Sequence, residues 1–352
     1  MYGRDGEIAK LSQLIDAGRW AVILGPRMVG KTSLAKAALA QTRRPSVYVN
    51  LWGVRGASGL LSALREGLSA NRTLLRKLRD GLTRVQGVTV AGTGITVAPQ
   101  SRPLRTFHEM VNLIGREGED TVIVLDEIQE LAAVSGSLHR LLANLFNTYP
   151  RVTLILTGSY FGLIRTLLET NSSSPLYGRP PARIELKPFE KPQSLGFLLA
   201  GFEEQKVRAD RERLLEIIDR SLDGIPGWLT LFGNAVVEQE MSPTEAEKYV
   251  IDEGKKVVRT ELEHFLENRD ATTYWAALKA LIVPVGWVEL RDAISDARGS
   301  RLNENSLRKI LRGVRDAGFV VETDQRYMIQ DPMLRAFVRD APRLRTAARK
   351  WA

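Results

Sequence analysis

The chain contains no cysteine, which excludes disulfides, thiolate catalysis and cysteine-ligated zinc or iron–sulfur centres. Its three histidines, His108, His139 and His264, stand far apart and without ligand spacing, so a histidine-held metal is not expected. No apolar run approaches the roughly 18 residues that suggest a membrane span, and "MYGRDGEIAK" has neither the basic region nor the apolar core of a secretory leader. The expectation is a cytoplasmic protein without membrane contact. Positive charge is in excess, with 50 lysines and arginines against 41 acids and a net charge of +9. That excess permits a polyanionic partner, and a diffuse arginine-rich composition would give the same figure.

With 352 residues, 44% of them hydrophobic, the chain is long enough for two or three domains with cores of their own. Its first half alternates between short apolar runs and stretches of helical periodicity. The runs are "AVILGP" (21–26), "SVYVNL" (46–51), "TVIVLDE" (121–127), "VTLILTGS" (152–159) and "ARIEL" (182–186). Runs apolar at every position suit strands covered on both faces, so a parallel sheet with helices on either side is expected. "VTVAGTGITV" (88–97) alternates around Gly-Thr-Gly and reads as an inserted hairpin.

After "LKPFEKP" the strand signals stop. Residues 191–268 give helical patterns broken at "DGIPGW", and residues 269–352 give three helix-sized segments, a small hairpin and a last helix. The latter is the outline of a winged helix-turn-helix. The expected domains are a core over 1–190, a helical subdomain over 191–268 and a winged helix over 269–352.

"GPRMVGKTS" fits G-x-x-x-x-G-K-[ST], follows an apolar strand and opens a helical run, which is the context this phosphate-binding loop requires. Gly25, Pro26, Arg27, Met28, Val29, Gly30, Lys31, Thr32 and Ser33 form the expected nucleotide-binding segment. Its glycines let successive backbone N–H groups face phosphates, Lys31 supplies a point charge to the β and γ phosphates, and Thr32 offers a hydroxyl to Mg²⁺. "TVIVLDEIQEL" supplies a second half, an apolar strand ending in Asp126 and Glu127. Alone, two acids after a strand can merely cap the next helix. Paired with the loop, Asp126 reads as a Mg²⁺ ligand and Glu127 as the base that deprotonates an attacking water. The next strand offers Thr157 or Ser159 beside Asp126, for the γ phosphate or that water; a threonine that merely ends a strand is the plainer reading.

Together "YGRDGEIAKL", "GPRMVGKTSL", "VIVLDEIQEL", "LILTGS", "PLYGR", "IELKPF" and "GIPGWL" resemble, in order, the archaeal ATPases of the signal-transduction (STAND) branch of P-loop NTPases, relatives of the AAA+ origin-recognition ATPases. The resemblance covers nearly the whole chain. It implies an α/β fold with a parallel five-stranded P-loop sheet (ASCE or AAA+-like), the strand of Asp126 near that of Lys31, a helical lid and a C-terminal winged helix. It places Tyr2, Gly3, Arg4, Gly224 and Pro226 near the nucleotide base and lid. It implies that Arg179, in "TNSSSPLYGRPP", is presented to a nucleotide as an arginine finger, in its own subunit or a neighbour's. Two departures stand out. "DGIPGW" carries no lid arginine, and Arg27 and Met28 stand where similar proteins often carry two arginines.

In the C-terminal segment Leu307, Ile310, Leu311 and Val314 lie at helical spacing and should face a core. That leaves Asn305, Ser306, Arg308, Lys309, Arg312 and Arg315, with Asn303, for a major groove. Winged helices also dock proteins. The expected function is therefore a slow, Mg²⁺-dependent ATPase that switches between ATP and ADP and controls either double-stranded DNA binding or self-association and docking of a protein partner. A small-molecule kinase shares the phosphate loop but finds no evident acceptor pocket.

Overall fold

The structure is a computed structural model, described for residues 1–92, 94–98, 102–117, 120–158, 180–267 and 269–341; for 132–140 and 264 the backbone alone is described. The chain divides into two compact units, Met1–Gly25 with Lys31–Leu186, and Pro26–Gly30 with Lys187–Ala352.

The first unit is built on a five-stranded sheet of β1 (Ala21–Leu24), β2 (Ser46–Asn50), β5 (Thr121–Asp126), β6 (Val152–Gly158) and β7 (Ala182–Glu185) in the order β2-β5-β6-β1-β7. All four pairings are parallel. β1, β5 and β6 are buried at every residue, whereas β2 and β7 are only partly buried. The three unbroken apolar runs therefore fill the middle of the sheet and the two patterned ones close its edges. β6 lies between β5 and β1, so Asp126 is two strands away from the strand that feeds the phosphate loop.

Helices α1 (Asp5–Asp16), α2 (Lys31–Gln41), α3 (Gly56–Ala70), α5 (Pro103–Glu117) and α6 (Ser135–Thr148) accompany this sheet. α3 buries Leu60, Leu61, Leu64 and Leu68. It lies so close to β2 that a Cβ at Gly67 would come within 2.5 Å of the Tyr48 carbonyl oxygen. Between β2 and β5 the chain also inserts α4 (Arg72–Arg84) and the antiparallel hairpin β3 (Val88–Ala91) and β4 (Gly94–Val97). Val88, Val90 and Ile95 join the core of the unit.

The second unit contains α7 (Lys191–Glu204), α8 (Arg211–Ile217), α9 (Pro226–Val237), α10 (Pro243–Leu266), α11 (Ala271–Ala280), α12 (Trp287–Arg298), α13 (Glu304–Asp316), the hairpin β8 (Val320–Thr323) and β9 (Arg326–Ile329), and α14 (Pro332–Asp340). Local chemistry sets its helix starts. Ser242 and Glu245 form a reciprocal capping box on α10, while Asp270, Asn303 and Asp331 cap α11, α13 and α14. Residues from Phe189 to Val338 share one hydrophobic cluster in which Trp228 and Phe232 are fully covered. Glu247, in the first turns of α10, is buried. Burial alone raises its carboxyl, but hydrogen bonds from Arg220 and Ser221 outweigh that effect and hold it below the usual carboxylate range.

Candidate active site

The phosphate loop leaves β1 at Gly25, and three of its residues have positive φ: Gly25 at 152°, Met28 at 61° and Gly30 at 99°. Only glycine adopts the first of these without strain, and Gly30 stands where α2 begins. Lys31 is buried, and its ammonium donates to the Gly25 carbonyl at 3.1 Å. Val29 is fully buried, Pro26, Arg27 and Thr32 are partly covered, and Met28 and Ser33 are exposed. The Met28 carbonyl accepts the Gly227 N–H at 2.8 Å, and Arg27 pairs with Glu261 on α10.

Asp126 ends β5 and is 2% exposed. Three hydroxyls converge on it. Thr32 donates to Oδ2 at 2.8 Å, Tyr48 donates to the same oxygen, and Thr157 donates to Oδ1. A carboxylate in the core is otherwise costly, and three donors meet that cost. Glu127 follows with φ 61°, unusual for a residue with a side chain. Its N–H donates to Thr157 Oγ1 at 3.0 Å, and the Gln129 amide donates to its carboxylate. Thr157 thus bonds both acids at once. The reversal of φ turns adjacent side chains apart, so Asp126 faces the phosphate loop while Glu127 is half-buried beside it.

Tyr48 and Gln129 were not legible as site residues. Tyr48 pairs with Val124, two residues before Asp126 on the same side of the sheet. The usable signal was a phenol between two valines on β2. Burial first, then the hydrogen bond to Asp126 and its charge, pushes the Tyr48 phenol above its ordinary range. Lys36 lies 4.9 Å from the Tyr48 ring centroid.

Elsewhere, Tyr2 is exposed, Gly3 has φ 59° and Arg4 is buried with Glu7 at 3.0 Å. Pro226 opens α9. Gly224 has φ 69°, and its carbonyl accepts the Phe189 N–H at 2.7 Å. On α13 the leucine, isoleucine and valine stripe is buried, whereas Asn305, Arg308, Lys309, Arg312 and Arg315 are exposed and Ser306 is half-buried. Ser159 and Arg179 lie outside the described residues.

A family model for an ATPase domain predominantly from Archaea matches residues 1–232. The chain belongs to that family. The chain is also similar to the Walker-type ATPase PABY2304 of Pyrococcus abyssi, at 27% identity and a TM-score of 0.77, over 96% of each chain. Its fold is shared with two Aeropyrum pernix proteins. The ADP form of ORC2 aligns at 16% identity and TM-score 0.54, over 100% of this chain and 95% of that one. ORC1, solved in complex with DNA, aligns at 14% identity and TM-score 0.51, over 99% of this chain and 94% of that one. Among the curated proteins compared, none matches. The sheet with its flanking helices is thus a P-loop ATPase fold, and the family implies nucleotide binding. No helix among the described residues is long and apolar enough to cross a membrane.

Proposed function

We propose that the chain is a slow ATP-driven switch of the STAND type, whose nucleotide state controls duplex DNA binding by a C-terminal winged helix. The observation that carries the ATP reading is the bond of Thr32 to Asp126 at 2.8 Å, which joins the phosphate loop to the end of β5. Two hard oxygen donors at that distance fit Mg²⁺, which when bound would offset phosphate charge. Gly25–Ser33 would bind the triphosphate, with the Lys31 ammonium on its β and γ groups. Glu127 would take the proton of a water in line with the γ phosphate, with Gln129 holding its carboxylate and Thr157 its backbone.

Switching is supported by two contacts of the loop, Met28 with Gly227 and Arg27 with Glu261. A phosphate that draws Arg27 away would change a contact of α10 directly. The DNA reading rests on three helices followed by an antiparallel hairpin, with the N-terminal end of α13 exposed. Protein docking is favoured by one observation, the exposure of Val283 and Val288 at 58% and 56%.

The test is ATP binding and hydrolysis measured with and without duplex DNA and across protein concentration. Lys31→Ala should lose nucleotide binding, while Glu127→Gln should keep binding and lose hydrolysis. Retained hydrolysis in Glu127→Gln sinks the assigned base. Hydrolysis and oligomer size that respond to concentration but not to DNA favour the docking reading. For Arg179, mixing Arg179→Ala with Lys31→Ala chains restores activity only if the finger acts across subunits.

A further inference from the structure

The net charge is not spread evenly over the described surface. α4 faces solvent with Arg72, Thr73, Arg76, Lys77, Arg79, Asp80, Thr83 and Arg84, so five bases face out with one acid. Among the described residues, Arg72, Arg76, Arg79 and Arg84 make no hydrogen bond or ion pair. Several arginines on other exposed helices are matched: Arg105 to Glu109 at 2.8 Å, Arg259 to Glu263 at 2.8 Å, and on α13 itself Arg315 to Glu322 at 2.8 Å and Arg308 to Glu304 at 3.7 Å; Arg116, Arg211 and Arg312 have no such partner among the described residues, but on α4 four such arginines share one helix. The helix expected to read DNA has thus partly neutralised its own charge, whereas Arg72, Arg76, Arg79 and Arg84 of α4 keep theirs.

The geometry points to α4 as a second polyanion surface, which binds the phosphodiester backbone of a nucleic acid without reading its bases. Arg72, Arg76 and Arg79 fall at i, i+4 and i+7 on one stripe, and Arg84 ends the helix. From Arg72 to Arg84 the axis runs about 18 Å at 1.5 Å per residue. One strand presents a phosphate every ~3.4 Å, so several phosphates lie within that reach. The helix is held rigidly for the task. Asn71 caps it by accepting the Leu74 N–H at 3.0 Å and ties it to β2 by donating to the Ser46 carbonyl at 2.8 Å. Leu74, Leu75, Leu78 and Leu82 are buried beneath.

The same burial argues against other anionic partners. With its leucines committed to the core, α4 has no apolar face to sink into a lipid surface. Its exposed face carries no aromatic or large aliphatic anchor of the kind that dominates protein–protein contacts. Threonines and unpaired arginines suit phosphate oxygens, which the guanidinium fork can bridge.

The surface belongs to the first unit and does not depend on the winged-helix reading. The experiment is fluorescence anisotropy of a labelled duplex of arbitrary sequence, titrated with the full chain between 50 and 200 mM salt. Replacing Arg72, Arg76, Arg79 and Arg84 by alanine should flatten the plot of log affinity against log salt by about 3 to 4 units, at ~0.9 per phosphate contact. Because these side chains are exposed and unpaired, the melting temperature should not move. Asp80→Arg should do the opposite, tightening binding at low salt and steepening the slope by about one unit, an outcome that misfolding cannot imitate. An unchanged slope in the fourfold variant overturns the proposal, as does tighter binding to phosphatidylserine vesicles or to polyglutamate than to the duplex. A Lys309→Ala/Arg312→Ala variant separates the two surfaces. If it alone loses the duplex, α4 is not a binding surface. If only the α4 variant loses it, the winged-helix reading fails instead.

Discussion

Replacing Thr157 by valine tests the logic of the site more sharply than replacing either acid, because it removes no charge. Thr157 is fully buried at the end of β6, where it donates to Asp126 and accepts the Glu127 N–H at 3.0 Å. Valine keeps the shape and β-branching but leaves both partners without that bond. A hydrogen bond to a charged group contributes about 1.5–3 kcal/mol, and an orphaned N–H costs about 1–3 kcal/mol. The expected loss is therefore about 3–5 kcal/mol, a large part of the ~5–15 kcal/mol that holds a domain folded. Threonine to serine keeps both bonds and removes one methyl, at about 1 kcal/mol.

Urea unfolding gives the magnitude, and hydrogen exchange of β5 and β6 peptides assigns it to the first unit. The functional consequence follows from Glu127. Its left-handed backbone costs roughly 1–2 kcal/mol to maintain, and Thr157 is one of the groups that holds it there. Freed from that bond, the Glu127 carboxylate should lose its alignment. ATP affinity should survive in Thr157→Val while turnover falls by about 10²-fold. If valine sits within about 1 kcal/mol of the native chain and serine is no better, the bridge from Thr157 to both acids does not hold the site together.

Gly224→Ala should destabilise the second unit by about 3 kcal/mol or more, since φ there is +69° and the new Cβ would lie 2.0 Å from the Phe189 carbonyl oxygen; a change below 1 kcal/mol in thermal or urea unfolding would contradict that geometry. Tyr48→Phe removes a charge-assisted donor from Asp126 and should cost about 1.5–3 kcal/mol, read by the same unfolding assay. Asp331, the α14 cap, is buried; that burial, and secondarily Glu261, raises its carboxyl to about 6 despite bonds from the Met333 and Leu334 N–H groups and the charge of Arg27. Its folded value lies above the unfolded one, so the folded state holds the proton more tightly and this contribution to stability is complete below about pH 4 and lost as pH rises through 6. Asp331→Asn keeps a capping side chain without the charge, so its stability relative to the native chain should improve by about 2–3 kcal/mol between pH 4 and 7; a difference that does not change with pH would show that Asp331 is not held protonated.

The sheet was legible because its evidence is local. β1, β5 and β6 are buried on both faces, so each reads as an unbroken apolar run, and the hairpin of β3 and β4 reads as alternation around a turn. The loop after β1 and the two acids at the end of β5 could be placed from the sequence for the same reason, each being a residue pattern within a dozen positions. The contacts that join those segments could not. Tyr48 reaches Asp126 across two strands 78 positions apart, and Arg27 meets Glu261 at a separation of 234. Neither residue type announces such a partner: Arg27 reads as a loop charge or a phosphate contact until α10 is seen beside it. Glu127 is instructive in another way, since its carboxylate meets Gln129 only because the backbone turns left-handed, a state that glutamate itself disfavours.

The groups proposed to carry the chemistry are therefore written in short motifs, while the groups that hold them belong to the tertiary fold. α4 inverts that order. Its arginines were visible in the sequence and carried no meaning there, because a basic helix is ordinarily a solvated face. What gives them meaning is their grouping, four arginines without a partner among the described residues on one helix, where Arg308 and Arg315 on α13 have acids of their own. An excess charge left unpaired on a helix pinned by Asn71 and four buried leucines is available to a partner at little conformational cost.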